Sequence, residues 1–93
     1  MLKVNEYFDG KVKSIGFDTE NLPASVGVME AGDYTFDTCE KELMMVINGE
    51  LLVKLPGQDT WQRYVAGDSF EVAAKQNFQL KVTRSTAYLC VYG

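Results

Sequence analysis

The chain has no histidine, only two cysteines and two prolines, and fewer bases than acids, nine against thirteen in 93 residues. Each shortage excludes something. Without histidine there is no serine triad, no histidine general acid, and none of the zinc or two-histidine iron sites built on imidazole. A cysteine nucleophile normally draws on a neighbouring base or cation, and here no imidazole can serve. Cys39 and Cys90 are too few for the disulfide framework of a small secreted domain. Each stands in a strand-like apolar context, so both are expected to be buried, reduced thiols. The net charge of −4 offers no basic face for a nucleic-acid backbone or an anionic membrane surface. No run approaches the ~18 apolar residues of a membrane-spanning helix. The opening MLKVNEYFDG has no apolar signal core, so a cytoplasmic chain is expected.

What remains is the composition of a folded domain, 46% apolar and 12% aromatic with 24% charged residues. The length fits a single domain over residues 1–93. A chain of this size buries only roughly 60–65% of the surface exposed when unfolded, which makes a partner subunit a reasonable expectation.

Alternating apolar and polar residues recur about every ten positions, and no stretch keeps a helical period. Strands are expected near 10–17, 24–30, 33–39, 42–48, 50–55, 61–65, 69–73, 77–83 and 86–92. Glu30-Ala31-Gly32-Asp33, Asn48-Gly49, Pro56-Gly57-Gln58-Asp59 and Ala66-Gly67-Asp68-Ser69 each predict a tight hairpin, Asn48-Gly49 most strongly as a type I′ turn. Phe78, Leu80 and Val82 oppose Gln79, Lys81 and Thr83, the pattern of a half-buried antiparallel strand. Residues 42–48 and 86–92 are apolar on both faces, which predicts cover on both sides, by a lumen and by a second layer or subunit. Nine short antiparallel strands of this kind predict an all-β sandwich or barrel.

The order of motifs then resembles a known family. Asn5-Glu6-Tyr7-Phe8 with Gly10-Lys11-Val12-Lys13-Ser14-Ile15-Gly16-Phe17 looks like the opening of the pyrimidine/purine nucleoside phosphorylases, small single-domain cupins. The likeness continues through Ala24-Ser25-Val26-Gly27-Val28-Met29, Gly32-x-Tyr34-Thr35-Phe36-x-Thr38, Gly49-x-Leu51-x-Val53-x-Leu55-Pro56, Trp61-x-x-Tyr64-x-Ala66-Gly67 and Tyr88-Leu89-Cys90-x-Tyr92. It implies a single cupin, an RmlC-like jelly-roll barrel of about nine strands. Cupins usually hold a metal on histidines and a glutamate. Counting from Gly32 puts Thr38 and Glu40 at the histidine positions, counting back from Gly49 puts Glu42 at the glutamate position, and counting from Gly67 puts Phe78 at the last histidine. No metal and no cofactor are expected, because one acid near Thr38 and Phe78 is not a transition-metal site.

The reaction that the resemblance implies is phosphate-dependent cleavage of purine and pyrimidine nucleosides to free base and ribose 1-phosphate, a pentosyl transfer with inorganic phosphate as co-substrate. Phosphate is itself the nucleophile, so the protein must align reactants, stabilise charge and exclude water. A base of either kind is best held by stacking, for which Tyr34, Phe36, Phe78, Tyr88 and Tyr92 are the available aromatics; their plainer reading is core. Glu42 heads an apolar stripe with Met44 and Val46 and is the candidate to protonate the base or hold ribose hydroxyls, with Thr38 as a hydroxyl partner. Lys13 and Ser14 of the opening motif, with Arg63, are the candidate phosphate ligands, and solvated strand-edge positions their alternative. The expected partners are nucleosides, phosphate and a second copy in a homodimer, with no nucleic acid and no membrane. A non-catalytic, metal-free cupin binding a small metabolite is the alternative, and a purely structural dimer-forming domain the third reading.

Overall fold

A computed structural model describes residues 2–93, and Met1 lies outside the described residues. The order is β1 (Lys3–Tyr7), β2 (Val12–Asp18), β3 (Pro23–Met29), β4 (Gly32–Asp37), β5 (Glu42–Asn48), β6 (Glu50–Lys54), β7 (Gln62–Val65), β8 (Ser69–Val72), β9 (Asn77–Val82) and β10 (Thr86–Tyr92). Nine of these follow the expected runs. The tenth, β1, was not anticipated: its inward residues Lys3, Asn5 and Tyr7 form no apolar stripe, and it is held by its ladder to β2, Lys3 opposite Gly16 through Tyr7 opposite Val12. The described residues form no helix, so none is long and apolar enough to cross a membrane.

The strands make a six-stranded sheet ordered β1-β2-β3-β10-β5-β8 and a four-stranded sheet ordered β4-β9-β6-β7, with every pairing antiparallel. The fold class is therefore all-β and cupin-like, as expected, although the ladders close within each sheet and not around a continuous barrel. Alternation does the assembly. Val12, Met29, Met44 and Val46 of the larger sheet and Leu51, Val53, Phe78, Leu80 and Val82 of the smaller one are all buried in a single core cluster. Each such side chain contributes about 1.5–3 kcal/mol by leaving water.

Three of the four expected hairpins are corners between sheets instead. Glu30–Asp33 carries the chain from β3 to β4, Asn48-Gly49 from β5 to β6, and Ala66–Ser69 from β7 to β8, each time into the other sheet. Only Pro56–Asp59 closes a hairpin, pairing β6 with β7. At Asn48-Gly49 the type I′ turn does not form, because Gly49 alone has positive φ (100°). Thr86 of β10 packs directly on Gly49, and its hydroxyl donates to the carbonyls of Glu50 (3.0 Å) and Arg84 (2.9 Å). Tertiary pairing of β6 with β9 thus overrides the local turn preference.

The β1–β2 hairpin stays within the larger sheet, but its turn reaches the smaller one. Phe8 (φ 53°), Asp9 (58°) and Gly10 (83°) turn left-handed in succession. A bulky residue in that region is strained, and contact of the Phe8 ring with Tyr34 (4.9 Å) and Phe36 (5.4 Å) offsets the cost. This ties the edge of the larger sheet to β4 of the smaller.

The outer face of the six-stranded sheet is apolar and open. Val4, Ile15, Val26, Leu89 and Met45 form one cross-strand row through the ladder register, and four of them are exposed, Leu89 being half-buried. None of the described residues supplies the cover expected over the outer sides of residues 42–48 and 86–92. Cys90 is buried and Cys39 is exposed, both free. Burial of Cys39 is therefore corrected: it follows the end of β4 in a bend, outside any strand.

Candidate active site

β10 lies between β3 and β5, at the centre of the larger sheet, so its inward residues floor the space between the sheets. Those residues are Tyr88, Cys90 and Tyr92. The register sets Tyr88 beside Gly27 and Val46, Cys90 beside Ser25 and Met44, and Tyr92 beside Glu42. The opposite wall comes from Phe36 of β4 and Phe78 of β9, which are partners in register with rings stacked at 5.9 Å and 27°. Tyr7, from the edge strand, stands edge-on to Phe36 at 6.4 Å. Together with Ser14, Met29, Asp37 and Met44, these residues enclose a cavity of about 150 Å³.

Gly27 makes room for one of these rings. A Cβ there would lie 2.6 Å from the Tyr88 hydroxyl and 2.7 Å from the Lys13 carbonyl oxygen, so only glycine lets Tyr88 lie across β3. Burial pushes the Tyr88 phenol up to about 12, with a hydrogen bond from Ser14 opposing in part.

Glu42 opens β5 and is half-buried. Burial holds its carboxyl above the ordinary carboxylate range, the nearby Glu40 charge adds to that, and the bond from Cys90 opposes it. The Cys90 thiol donates to Glu42 Oε1 at 3.5 Å. Burial first, and the Glu42 charge second, push that thiol far up, so it stays neutral and is no nucleophile. Tyr92 is likewise raised by burial, and its hydroxyl shares a 2.8 Å hydrogen bond with Ser25. The cavity therefore offers flat aromatic surface, neutral phenol donors, and one carboxyl inclined to keep its proton. That set can hold a planar ring and hand it a proton.

Of the residues expected from sequence, Glu42, Phe36, Phe78, Tyr88, Tyr92 and Ser14 line this cavity. The others stand elsewhere. Thr38 is buried, but its hydroxyl donates to the Ala73 carbonyl (2.7 Å) and accepts from the Gln76 amide (3.0 Å), pinning two loops together. Tyr34 donates to the Glu30 carbonyl at 2.7 Å and packs in the seam with Phe8. Lys13 points to the outer face and pairs with Glu6 at 3.6 Å. Arg63, on the edge strand β7, pairs with Glu50, whose carboxyl is lowered chiefly by that bond.

Tyr7, Asp37 and Cys90 line the cavity but were not among the expected site residues. The alternation of residues 86–92 carried a signal for Cys90, since it shares a face with Tyr88 and Tyr92. Tyr7 had none, because its strand was not recognised. At the cupin metal positions, Glu42 and Phe78 reach the cavity while Thr38 does not. Among the described residues no three cysteine or acidic side chains converge as a cation cage.

Fold and cavity together define the class, a small cupin-like jelly roll with an aromatic-walled pocket and one half-buried acid. A cupin superfamily protein from Desulfitobacterium hafniense shares this fold at a TM-score of 0.73 and 14% identity, over 95% of this chain and 82% of that one. Much nearer is the crystal structure of a protein of unknown function from Vibrio parahaemolyticus, at a TM-score of 0.96 and 46% identity, covering 100% and 99% of the two chains. The family model for pyrimidine/purine nucleoside phosphorylase matches residues 2–92. A curated relative from Magnetococcus marinus, named pyrimidine/purine nucleoside phosphorylase, is 67% identical over 93 residues, the whole of both chains. The chain belongs to the pyrimidine/purine nucleoside phosphorylase family.

Proposed function

We propose that this chain releases free bases from both purine and pyrimidine nucleosides by phosphorolysis, yielding a pentose 1-phosphate, and that it does so as a homodimer without a metal. The observation that carries the reading is Glu42, a carboxyl raised by burial at the side of a cavity walled by Phe36, Phe78 and Tyr88. A volume of about 150 Å³ suits a nucleobase and is too small for a nucleoside with phosphate. Stacking on aromatic faces accepts either kind of base, because every base has a π-face.

In the reaction a phosphate oxygen bonds to C1′ as the C1′–N bond breaks. The electron pair leaves with the base, which takes the proton of Glu42, and the carboxylate regains a proton from solvent. Aromatic walls around the base keep water from the breaking C1′–N bond, where positive charge develops on the sugar. Cys90 takes no part, since its thiol stays neutral.

The test is chromatographic. Purified protein incubated with inosine or uridine should release hypoxanthine or uracil only when inorganic phosphate is added, and a chelator should leave the rate unchanged. No release from any nucleoside would leave a metabolite-binding cupin as the reading.

A further inference from the structure

We infer that a second groove, continuous with the aromatic cavity through Tyr7 and Tyr92, is the pentose-phosphate subsite, with Lys3 and Asn5 as its phosphate ligands. This rests on the phosphorylase reading above. The cavity itself takes only the base, so sugar and phosphate must lie beyond the two shared tyrosines. There a groove of about 420 Å³ is lined by Lys3, Asn5, Gly16, Asp18, Ser25 and Glu40, among others.

Strand register builds it. Lys3, Gly16, Ser25 and Cys90 lie on one inward row across β1, β2, β3 and β10. Gly16 has no side chain and Ser25 a small one, so the middle of that row is a trough between Lys3 and the buried residues of β10. Asn5, two residues along β1, faces the same way.

The groove sorts a pentose phosphate by charge. Among the described residues, Lys3 is the single cation lining either the cavity or the groove. An ammonium on a flexible stem suits a phosphate approaching from solvent, and the Asn5 amide adds a neutral donor. Asp18 and Glu40, the charged groups that share the groove, repel phosphate and accept hydrogen bonds from pentose hydroxyls. Lys3 and Asn5 are left as the donors that face phosphate. Ser25 and Tyr92, joined at 2.8 Å, supply hydroxyls where the groove meets the cavity. Lys13 and Arg63 are each paired to a glutamate away from both spaces.

Two measurements test this. In phosphorolysis, Lys3→Gln should raise KM for phosphate about tenfold and leave KM for inosine within twofold, and Asn5→Ala should act in the same direction. Lys54→Gln, a charge-matched change on β6, should do neither. In amide-resolved NMR, which needs no turnover, ribose 1-phosphate should shift Lys3, Asn5, Gly16 and Ser25 in the wild type and not in Lys3→Gln. Active enzyme whose KM for phosphate is unmoved by Lys3→Gln, or is raised by Lys13→Gln instead, overturns the subsite and leaves phosphorolysis standing. If no nucleoside is cleaved, the phosphorylase reading falls. Ribose 1-phosphate shifts confined to the groove would then still support the subsite, and their absence would overturn it too.

Discussion

In the proposed reaction the chemistry concentrates on Glu42, and one substitution tests it. Its carboxyl is raised by burial, so the folded chain holds that proton more tightly than the unfolded chain. The associated stability is full below the ordinary carboxylate value and is lost as pH rises through the raised one. Glu42→Gln keeps an acceptor for the Cys90 thiol and removes the proton donor. Its kcat should fall by about 10²-fold or more. Its melting temperature should match the wild type in acid and equal or exceed it above the raised value, where the wild type carries a half-buried charge. Wild-type kcat should decline as pH passes that value, and the decline should be absent in the variant. Unchanged turnover in Glu42→Gln would remove the residue from the mechanism. Glu42, Phe36, Phe78 and Tyr88 were legible in the sequence because strand alternation assigns each a face. The same parity sends Lys13, between buried Val12 and Ser14, to the outer face; its place in a family motif did not reveal that.

Elements were easier to locate than to connect. Nine strands were legible from alternation, yet three turns read as hairpins are corners between sheets. A glycine-bearing turn reverses the chain either way, and which sheet receives the next strand depends on distant pairing, such as β6 with β9. Strand β1 went unseen because its inward face is polar, and that polar face is what it brings to the groove. At this scale Gly27 couples fold to cavity. A methyl on β3 meets the Tyr88 hydroxyl at 2.6 Å and backbone at 2.7 Å, and the backbone cannot yield easily. Gly27→Ala should therefore cost about 1–3 kcal/mol in stability, as overpacking does, and should push Tyr88 into the cavity. Chemical denaturation would give the first and KM for nucleoside, raised several-fold, the second. A variant as stable and as active as wild type would mean that β3 and Tyr88 separate freely.

For the whole molecule the deciding feature is the apolar outer face of the larger sheet. Its central row, Val4, Ile15, Val26, Leu89 and Met45, continues into Val28 and Ile47, each 48% exposed. Five strand spacings of ~4.8 Å by a strand length of ~20 Å give on the order of 500 Å² in projection, a corrugated surface close to what each partner of a standard interface buries. A monomer rarely leaves so large a patch in water. A second copy of the same sheet is the occupant that matches it in shape and apolar character, and a two-fold pairing would bury both patches at once. A charge at the centre of the row should then be intolerable in the dimer and harmless to the single chain, whose core lies on the other face. Val26→Glu should sediment as a 10.4 kDa monomer where the wild type sediments at twice that mass, and its far-UV spectrum should be unchanged. Ile15→Lys, one strand away, should do the same. Because cavity and groove both lie on the inner face, base release should survive in the monomer if each copy holds a whole site. Its loss, with the fold intact, would mean that the partner holds β1 and β2 in place over the cavity. A wild type that sediments as a monomer would overturn the pairing.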